Sequence, residues 1–210
     1  MTLIYGGTFD PVHRGHIAVA RAAASALHAE VRLMPASDPP HREAPHADGT
    51  HRARMLELAL ADERALLLDR RELQRGGPSY TIQTVLELRD ELGDHAPIGL
   101  LLGADALLGF HTWRLWRELL ARVHLVVANR PGHPLQSLPE VLDQALQGHW
   151  THRTDDLRRL PAGRIMVLEA GLRDESSTLL RERLRTGGDW AALVPEAVAD
   201  YIRVHRLYGC

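Results

Sequence analysis

Apolar runs alternate with helical patterns along most of this chain, and this alternation restricts the fold more than any other feature. The runs at 98–102 (IGLLL) and 124–128 (HLVVA) contain at most one polar side chain each. Strands of this kind are covered on both faces, as in a parallel sheet. Because a helical pattern follows each run, the sequence predicts βαβ units. We therefore expect an α/β fold with a doubly wound, mainly parallel sheet and helices on both faces.

The predicted elements follow one another regularly. Strands are expected at 3–5, 31–34, 65–68, 98–102, 124–128 and 165–168. Helices are expected at 18–27, 115–121, 138–146, 177–185 and 196–206. A further helix is expected to begin at a Thr50 cap and to end at about residue 61. Another is expected to follow a Ser79 cap, with Ile82, Val85, Leu86 and Leu92 on its buried side. A length of 210 residues without a long linker suits one domain, residues 1–210.

Composition argues against several classes of partner. The net charge of −2 gives no basic surface for a nucleic acid or an anionic membrane. No apolar stretch is long enough to span a bilayer, and the one cysteine, Cys210, cannot form a disulfide within the chain. We therefore expect a cytoplasmic protein that acts on small molecules, with monomer and homo-oligomer both open.

The chain contains no lysine, so all 25 of its Lys and Arg positions are arginine. A codon bias toward arginine is the simple explanation, but the result restricts the chemistry. A Schiff-base lysine and a phosphate-loop lysine are both excluded. Any positive charge that a bound phosphate meets must come from arginine, protonated histidine or a metal ion.

The stretch 6–16, GGTFDPVHRGH, joins the first predicted strand to the first predicted helix. Backbone N–H groups at a helix start have no partner within the helix and attract anions. Glycines at 6 and 7 let a ligand approach the backbone closely. His13 and His16 are three residues apart, so they can lie on one side of the helix start. These features indicate a phosphate-binding turn, although neither Gly-x-Gly-x-x-Gly nor a P-loop is present.

Two other interpretations of this stretch stay open on its own chemistry. Each histidine could simply cap the helix or pack against it. A zinc site formed by His13 and His16 is less favoured, because no third ligand is evident and Cys210 is the single cysteine.

Polar residues follow the other predicted strands as well. Besides 6–16, the stretches at strand ends are 35–42 (PASDPPHR), 103–105 (GAD), 129–132 (NRPG) and 175–178 (ESST). In open parallel sheets, ligands bind beyond the carboxyl ends of the strands. Since four of these five stretches carry residues suited to phosphate or sugar groups, we expect them to line one crevice.

The stretch 176–181, SSTLLR, begins a predicted helix. Hydroxyl groups at a helix start usually cap it, and capping is the simpler interpretation. Arg181, however, lies three positions beyond Thr178 and four beyond Ser177, on the same helix face. Hydroxyls, unpaired N–H groups and a guanidinium could therefore form a second phosphate clamp. Two clamps at neighbouring strand ends suggest a nucleoside triphosphate held from both sides.

Together the two motifs resemble the signature of the nucleotidylyltransferase superfamily, (H/T)-x-G-H with Ser-Ser-Thr-x-x-Arg. Within it, the chain is similar over essentially its full length to the bacterial nicotinate-nucleotide adenylyltransferase family. The supporting stretches are 39–42 (PPHR), 78–81 (PSYT), 103–105 (GAD), 112–113 (TW) and 130–132 (RPG). The (H/T)-x-G-H signature alone identifies the superfamily, whereas the whole set is specific to the family.

This resemblance implies transfer of AMP from ATP to nicotinate mononucleotide, giving deamido-NAD and pyrophosphate in NAD biosynthesis. It implies a Rossmann-like nucleotidylyltransferase fold whose C-terminal helical part, about 176–210, completes the ATP site. Mg²⁺ would arrive with ATP and have no direct protein ligand. The mononucleotide phosphate would attack the α-phosphorus in line, without a covalent enzyme intermediate.

The resemblance also implies roles for individual residues. The catalytic residues would be His13, His16, Asp105 and Arg181. ATP would be bound by Gly6, Gly7, Thr8, Phe9, Asp10, Gly103, Ser177 and Thr178. Nicotinate mononucleotide would be bound by His41, Arg42, Tyr80, Thr81, Trp113, Arg114 through its backbone, and Arg130. Trp113 would stack on the pyridine ring, whereas Trp116 is interpreted as a core residue.

Glu175 departs from the family pattern, which has Ile before Ser-Ser-Thr. A carboxylate there would repel a triphosphate unless it points to solvent or pairs with an arginine. Two alternatives to the implied function remain: an adenylyltransferase with another acceptor, such as nicotinamide mononucleotide, and a nucleotide-binding module without catalysis. The proline-rich loop 35–48 is our candidate for a lid over the substrate.

Overall fold

The computed structural model describes residues 1–38, 44–129, 137–168 and 175–210. Six strands form one sheet in the order β3-β2-β1-β4-β5-β6, and every neighbouring pair is parallel. The strands are β1 Thr2–Gly7, β2 Glu30–Pro35, β3 Leu66–Leu68, β4 Ile98–Gly103, β5 His124–Ala128 and β6 Ile165–Leu168. All six predicted strands are confirmed, and β5 and β6 have the predicted bounds.

Ten α-helices lie within the described part of the chain: α1 Arg14–Leu27, α2 Gly49–Ala59, α3 Arg71–Arg75, α4 Thr81–Leu92, α5 Ala104–Leu108, α6 Trp116–Arg122, α7 Glu140–Leu146, α8 Thr154–Arg159, α9 Ser177–Thr186 and α10 Glu196–Val204. The sequence did not predict α3, α5 or α8, because five or six residues are too few to show a hydrophobic period. Among the helices described, none is long and apolar enough to cross a membrane.

The predicted cap of α2 was wrong. The helix begins at Gly49, and the Asp48 carboxylate accepts a hydrogen bond from the backbone N–H of His51 at 2.8 Å. Asp48 is therefore the capping residue, and Thr50 lies inside the first turn. Asp and Thr are both good caps, so the pattern alone could not separate them.

The predicted start of α4 was also wrong. Ser79 lies before the helix, where its Oγ accepts a hydrogen bond from the backbone N–H of Ser37 at 2.9 Å. This contact ties the start of α4 to the loop after β2. On the helix itself, Ile82 and Val85 are buried as predicted and Leu92 is partly buried, but the prediction was wrong for Leu86, which is 38% exposed.

Alternate side chains of the sheet enter two separate cores. Leu3 packs into a core with residues of α1, α2, α9 and α10, whereas Ile4 packs into a core with residues of α4, α6 and α7. Trp116 lies in the second core, as predicted. Helices on both faces of a parallel sheet confirm the doubly wound architecture.

The chain reverses its direction of travel across the sheet between β1 and β4. It runs from β1 to β2 and β3 on one side, and then returns to place β4 on the other side of β1. Ligands of such sheets bind in the crevice at this reversal, beyond the carboxyl ends of the strands. The stretch 6–16 follows β1 and the stretch 103–105 follows β4, so both predicted segments meet at this crevice.

Candidate active site

A cavity of about 800 Å³ opens at the carboxyl ends of β1 and β4. The predicted site residues that line it are Gly6, Gly7, Thr8, Phe9, Asp10, His13, His16, Tyr80, Thr81, Gly103, Asp105, Trp113, Arg114, Ser177, Thr178 and Arg181. The other three, His41, Arg42 and Arg130, lie outside the described residues. The fold thus brings together residues that are up to 175 positions apart (181 − 6), and their individual roles remain predictions.

His13 and His16 cap α1 by accepting hydrogen bonds from each other's backbone. His13 Nδ1 accepts from His16 N–H and His16 Nδ1 accepts from His13 N–H, both at 3.3 Å. The two rings stack with their centroids 3.6 Å apart. Because each Nδ1 is an acceptor, the neutral ring carries its proton on Nε2. Capping and anion binding are therefore compatible here, since the caps hold both rings with Nε2–H as the donor.

Glycines 7 and 15 lie at positions where a Cβ would be tightly packed against a neighbouring ring. A Cβ on Gly15 would lie 3.0 Å from His13 Nδ1, and one on Gly7 would lie 3.1 Å from the Phe9 ring. The Phe9 ring is buried and packs edge-on against His16, with centroids 4.9 Å apart. Gly6 differs, because no atom lies within 4 Å of its Cβ position. Ring packing therefore accounts for glycine at Gly7, whereas the space beside Gly6 is open and close approach of a ligand there stays a prediction.

Three backbone carbonyls of the turn accept hydrogen bonds from distant side chains. Arg181 Nη1 donates to Asp10 O at 2.7 Å, and Ser177 Oγ donates to Pro11 O at 3.0 Å. The third carbonyl, of Thr8, is held by an arginine that the sequence did not reveal as a site residue. The expectation that the two clamps follow neighbouring strands was wrong, because β4 and β5 lie between β1 and β6. The two clamps are nevertheless in direct contact through these hydrogen bonds.

That arginine is Arg52 of α2, which is 1% exposed. Its Nη1 donates to Thr8 O at 2.8 Å and its Nε donates to Ala47 O at 3.1 Å. Burial lowers the pKa of the guanidinium, and the charge of nearby Asp10 opposes this effect. One sequence signal was available: Arg52 occupies the same helix face as Met55 and Leu56, where a charged residue is unusual.

The Asp10 carboxylate is almost fully buried and accepts hydrogen bonds from three residues. Oδ2 accepts from His46 N–H at 2.7 Å, whereas Oδ1 accepts from Ala47 N–H at 3.1 Å and from Tyr208 Oη at 2.8 Å. Its contact with ATP stays a prediction. The structure gives it a further role, because it ties residues 46–47 of the loop after β2 and the C-terminal end to the turn.

Glu175 lies at the start of α9 against the (H/T)-x-G-H turn. Glu175 is 8% exposed and lines the cavity, so its side chain does not point to solvent. The expectation that the carboxylate could avoid repelling a triphosphate by pointing to solvent was therefore wrong. The candidate lid, 35–48, is described at 35–38 and 44–48, and its remaining residues, 39–43, lie outside the described ranges. Its closure over substrate stays a prediction.

The opposite side of the cavity is built from the start of α4 and the segment before α6. No side chain in the described part of the chain caps α4, whose cap position is Tyr80. The Arg114 guanidinium lies over the Tyr80 ring, 4.7 Å from its centroid. Trp113 is half-buried beside Phe110, with centroids 5.4 Å apart. An aromatic ring and backbone N–H groups are therefore available to a ligand here.

The end of β4 supplies a carboxylate between these two sides. Gly103 caps α5, and Asp105 lies exposed in its first turn. Across the described ranges, His, Cys, Asp and Glu side chains do not gather in threes as a metal site would require.

The sequence model of the cytidylyltransferase-like family matches residues 4–183. This range runs from β1 through both motifs and into α9. The chain belongs to the cytidylyltransferase-like family and is a nucleotidyltransferase.

Relatives within this family are more specific. A Stenotrophomonas maltophilia protein described as a probable nicotinate-nucleotide adenylyltransferase is 50% identical over 214 residues, covering 99% of this chain and 96% of that protein. The nicotinate-nucleotide adenylyltransferase of Salmonella typhimurium is 45% identical over 206 residues, covering 98% and 97%. These similarities confirm the resemblance that the motifs indicated.

A solved structure of Plasmodium falciparum nicotinic acid mononucleotide adenylyltransferase complexed with NaAD has a similar fold. It matches with a TM-score of 0.73 over 99% of this chain and 97% of that chain. At 15% sequence identity this match concerns the fold alone, and it confirms the Rossmann-like architecture.

Proposed function

We propose that this protein transfers AMP from Mg-ATP to nicotinate mononucleotide, giving deamido-NAD and pyrophosphate in NAD biosynthesis. One observation carries the proposal: both predicted phosphate-binding motifs line one side of a single cavity, and the Tyr80–Thr81 helix start and Trp113 line the other. The relatives that match nearly the whole chain are named for this reaction. A cavity with two such sides suits a reaction that joins two nucleotides.

The side formed by β1, α1 and α9 binds ATP in this proposal. His13 and His16 donate from Nε2–H to the phosphates, and Arg181 adds a guanidinium. Thr178 adds a hydroxyl at the start of α9, and Ser177 holds the turn by donating to Pro11 O, so that the C-terminal part, about 176–210, completes the site of a single 1–210 domain. The remaining assigned ATP-binding residues are Gly6, Gly7, Thr8, Phe9, Asp10 and Gly103.

The opposite side binds nicotinate mononucleotide. The pyridinium ring stacks on Trp113, where a cation–π contact is worth about 1–2 kcal/mol once desolvated. The N–H groups of Thr81 and Ile82, at the uncapped start of α4, donate hydrogen bonds to the nicotinate carboxylate, together with the backbone N–H of Arg114. A carboxamide is neutral and presents its own N–H groups, so it fits these donors less well. His41, Arg42 and Arg130 are assigned to the mononucleotide phosphate.

The reaction is a direct in-line displacement. An oxygen of the mononucleotide phosphate bonds to the α-phosphorus of ATP, and the bond to the bridging oxygen breaks so that pyrophosphate leaves with the electron pair. His16 stabilises the charge that develops on the transferring group, and the other donors hold the phosphates in line. Phosphoryl-type transfer depends mainly on positioning and electrostatics, which agrees with a chain that has no lysine nucleophile.

Magnesium enters as part of the substrate Mg-ATP and neutralises phosphate charge. Ions of this type bind through substrate phosphates, water and one or two carboxylates. The exposed carboxylate of Asp105 suits such a water-mediated contact, or a hydrogen bond to a sugar hydroxyl. We place the reaction in the cytoplasm, because the single cysteine provides no internal disulfide.

The test is pyrophosphate release from Mg-ATP with each of three acceptors: nicotinate mononucleotide, nicotinamide mononucleotide and phosphopantetheine. We expect turnover with the first, and deamido-NAD as the product identified by mass. Faster turnover with nicotinamide mononucleotide would favour the alternative acceptor. Absence of turnover with all three would contradict the proposed reaction.

A further inference from the structure

The last residues of the chain reach back to the phosphate-binding turn. The Tyr208 hydroxyl donates a hydrogen bond to Asp10 Oδ1 at 2.8 Å, across 198 positions of sequence. Burial, followed by the neighbouring Asp10 charge, raises the pKa of the Tyr208 phenol well above its usual range. The hydroxyl therefore remains a donor at every pH at which such an enzyme works.

The backbone around Tyr208 adopts a conformation that side chains disfavour. Arg206 has φ 49° and Tyr208 has φ 60°, both in the left-handed region. Residues other than glycine are uncommon there, and such conformations persist when surrounding contacts require them. Both residues lie in the turn that places the Tyr208 side chain against Asp10.

Asp10 is the point at which three segments of the chain meet. Its carboxylate receives Tyr208 from the C-terminal end and the N–H groups of His46 and Ala47 from the loop after β2. Its backbone carbonyl receives Arg181 from α9. The residue that receives Tyr208 on its carboxylate thus also receives Arg181 on its backbone, and it lies three positions before His13.

We propose that Tyr208 is a positioning residue for adenylyl transfer, acting through Asp10 on Arg181 and on the turn that carries His13. This inference rests on the proposed function for its kinetic consequence. Tyr208 donates to Asp10 and is not among the residues that line the cavity. Its loss should therefore misplace the donors that stabilise the transition state, with little change in ground-state binding of either substrate.

The test compares Tyr208→Phe with a matched control, Tyr201→Phe. Tyr201 also lies near the C-terminal end, and its hydroxyl is 2.9 Å from His51 Nδ1 on α2. Each variant loses one tyrosine hydroxyl and the hydrogen-bond contact that this hydroxyl makes. We expect kcat of Tyr208→Phe to fall about tenfold with both KM values within threefold of wild type, whereas Tyr201→Phe keeps kcat within twofold. Equal kcat in the two variants would overturn the proposal. A Tyr208→Phe variant with an unchanged kcat and a raised KM for either substrate would overturn it as well.

A second measurement does not depend on turnover. We expect the amide hydrogens of His46 and Ala47 to exchange about tenfold faster in Tyr208→Phe, because their acceptor is less firmly held, and at the wild-type rate in Tyr201→Phe. Unchanged exchange in Tyr208→Phe would show that the hydroxyl does not position Asp10. If the wild-type protein turned over none of the acceptors, the proposed function would fail, and this measurement alone would decide whether the Tyr208 contact holds the turn.

Discussion

The helix starts on the two sides of the cavity differ in whether a side chain caps them. On the ATP side, α1 is capped by the reciprocal hydrogen bonds of His13 and His16, and α9 is capped by Ser176 Oγ, which accepts from Leu179 N–H at 3.2 Å. On the acceptor side, α4 has no side-chain cap in the described part of the chain.

This difference indicates two ways of preparing a site for an anion. On the side that we assign to ATP, side chains cap the helix starts, and the histidine rings and the Arg181 guanidinium are the proposed donors for phosphate. On the acceptor side, the backbone N–H groups themselves are left for the ligand. Under this proposal, the first arrangement presents donors before substrate arrives, whereas the second is completed by the substrate's carboxylate. The following variants test this contrast.

His16→Ala should have the largest effect, because it removes an Nε2–H donor and also the cap on the His13 N–H. We expect kcat to fall about 10²–10³-fold, as for the loss of one preorganised donor. Steady-state pyrophosphate release measures this, with His152→Ala on the exposed surface as the control. A loss below tenfold would contradict the assigned role of His16.

Thr81→Pro tests the acceptor side directly. Proline is tolerated at the first position of a helix, and Tyr80 before it has the extended backbone that proline requires. The substitution removes one N–H group, worth about 1.5–3 kcal/mol when it binds a charged group. We therefore expect the preference for nicotinate over nicotinamide mononucleotide, as a ratio of kcat/KM, to fall roughly 10–100-fold.

The control is Thr81→Val, which removes the hydroxyl and keeps the N–H. Its substrate preference should stay close to that of the wild type. An equal loss of preference in both variants would assign the discrimination to the hydroxyl and contradict the role of the helix start.

Trp113→Ala should have the smallest effect of the three. Loss of a stacking contact of about 1–2 kcal/mol raises KM for nicotinate mononucleotide about tenfold and leaves KM for ATP unchanged. Trp150→Ala, at an exposed tryptophan of another segment, is the control. A rise in KM for ATP would contradict the assignment of Trp113 to nicotinate mononucleotide.

Much of the fold was predictable because buried strands leave a local pattern. Short, mostly apolar runs identified all six strands, and the crevice followed from the general behaviour of parallel sheets. The caps of α2 and α4 were not predicted correctly, since Asp48, Thr50 and Ser79 are all residues that cap helices well. Only the contacts of each side chain decide which one does so.

The sequence by itself determined the alternation of strands and helices, the two motifs and the family, because each depends on residues close together in the chain. The tertiary structure alone decided which distant residues hold the site together. Arg52 reaches Thr8 across 44 positions, Arg181 reaches Asp10 across 171, and Tyr208 reaches Asp10 across 198. A hydrogen bond between such residues has no period and no fixed spacing, so it becomes visible only when the sheet has brought its partners to the same edge.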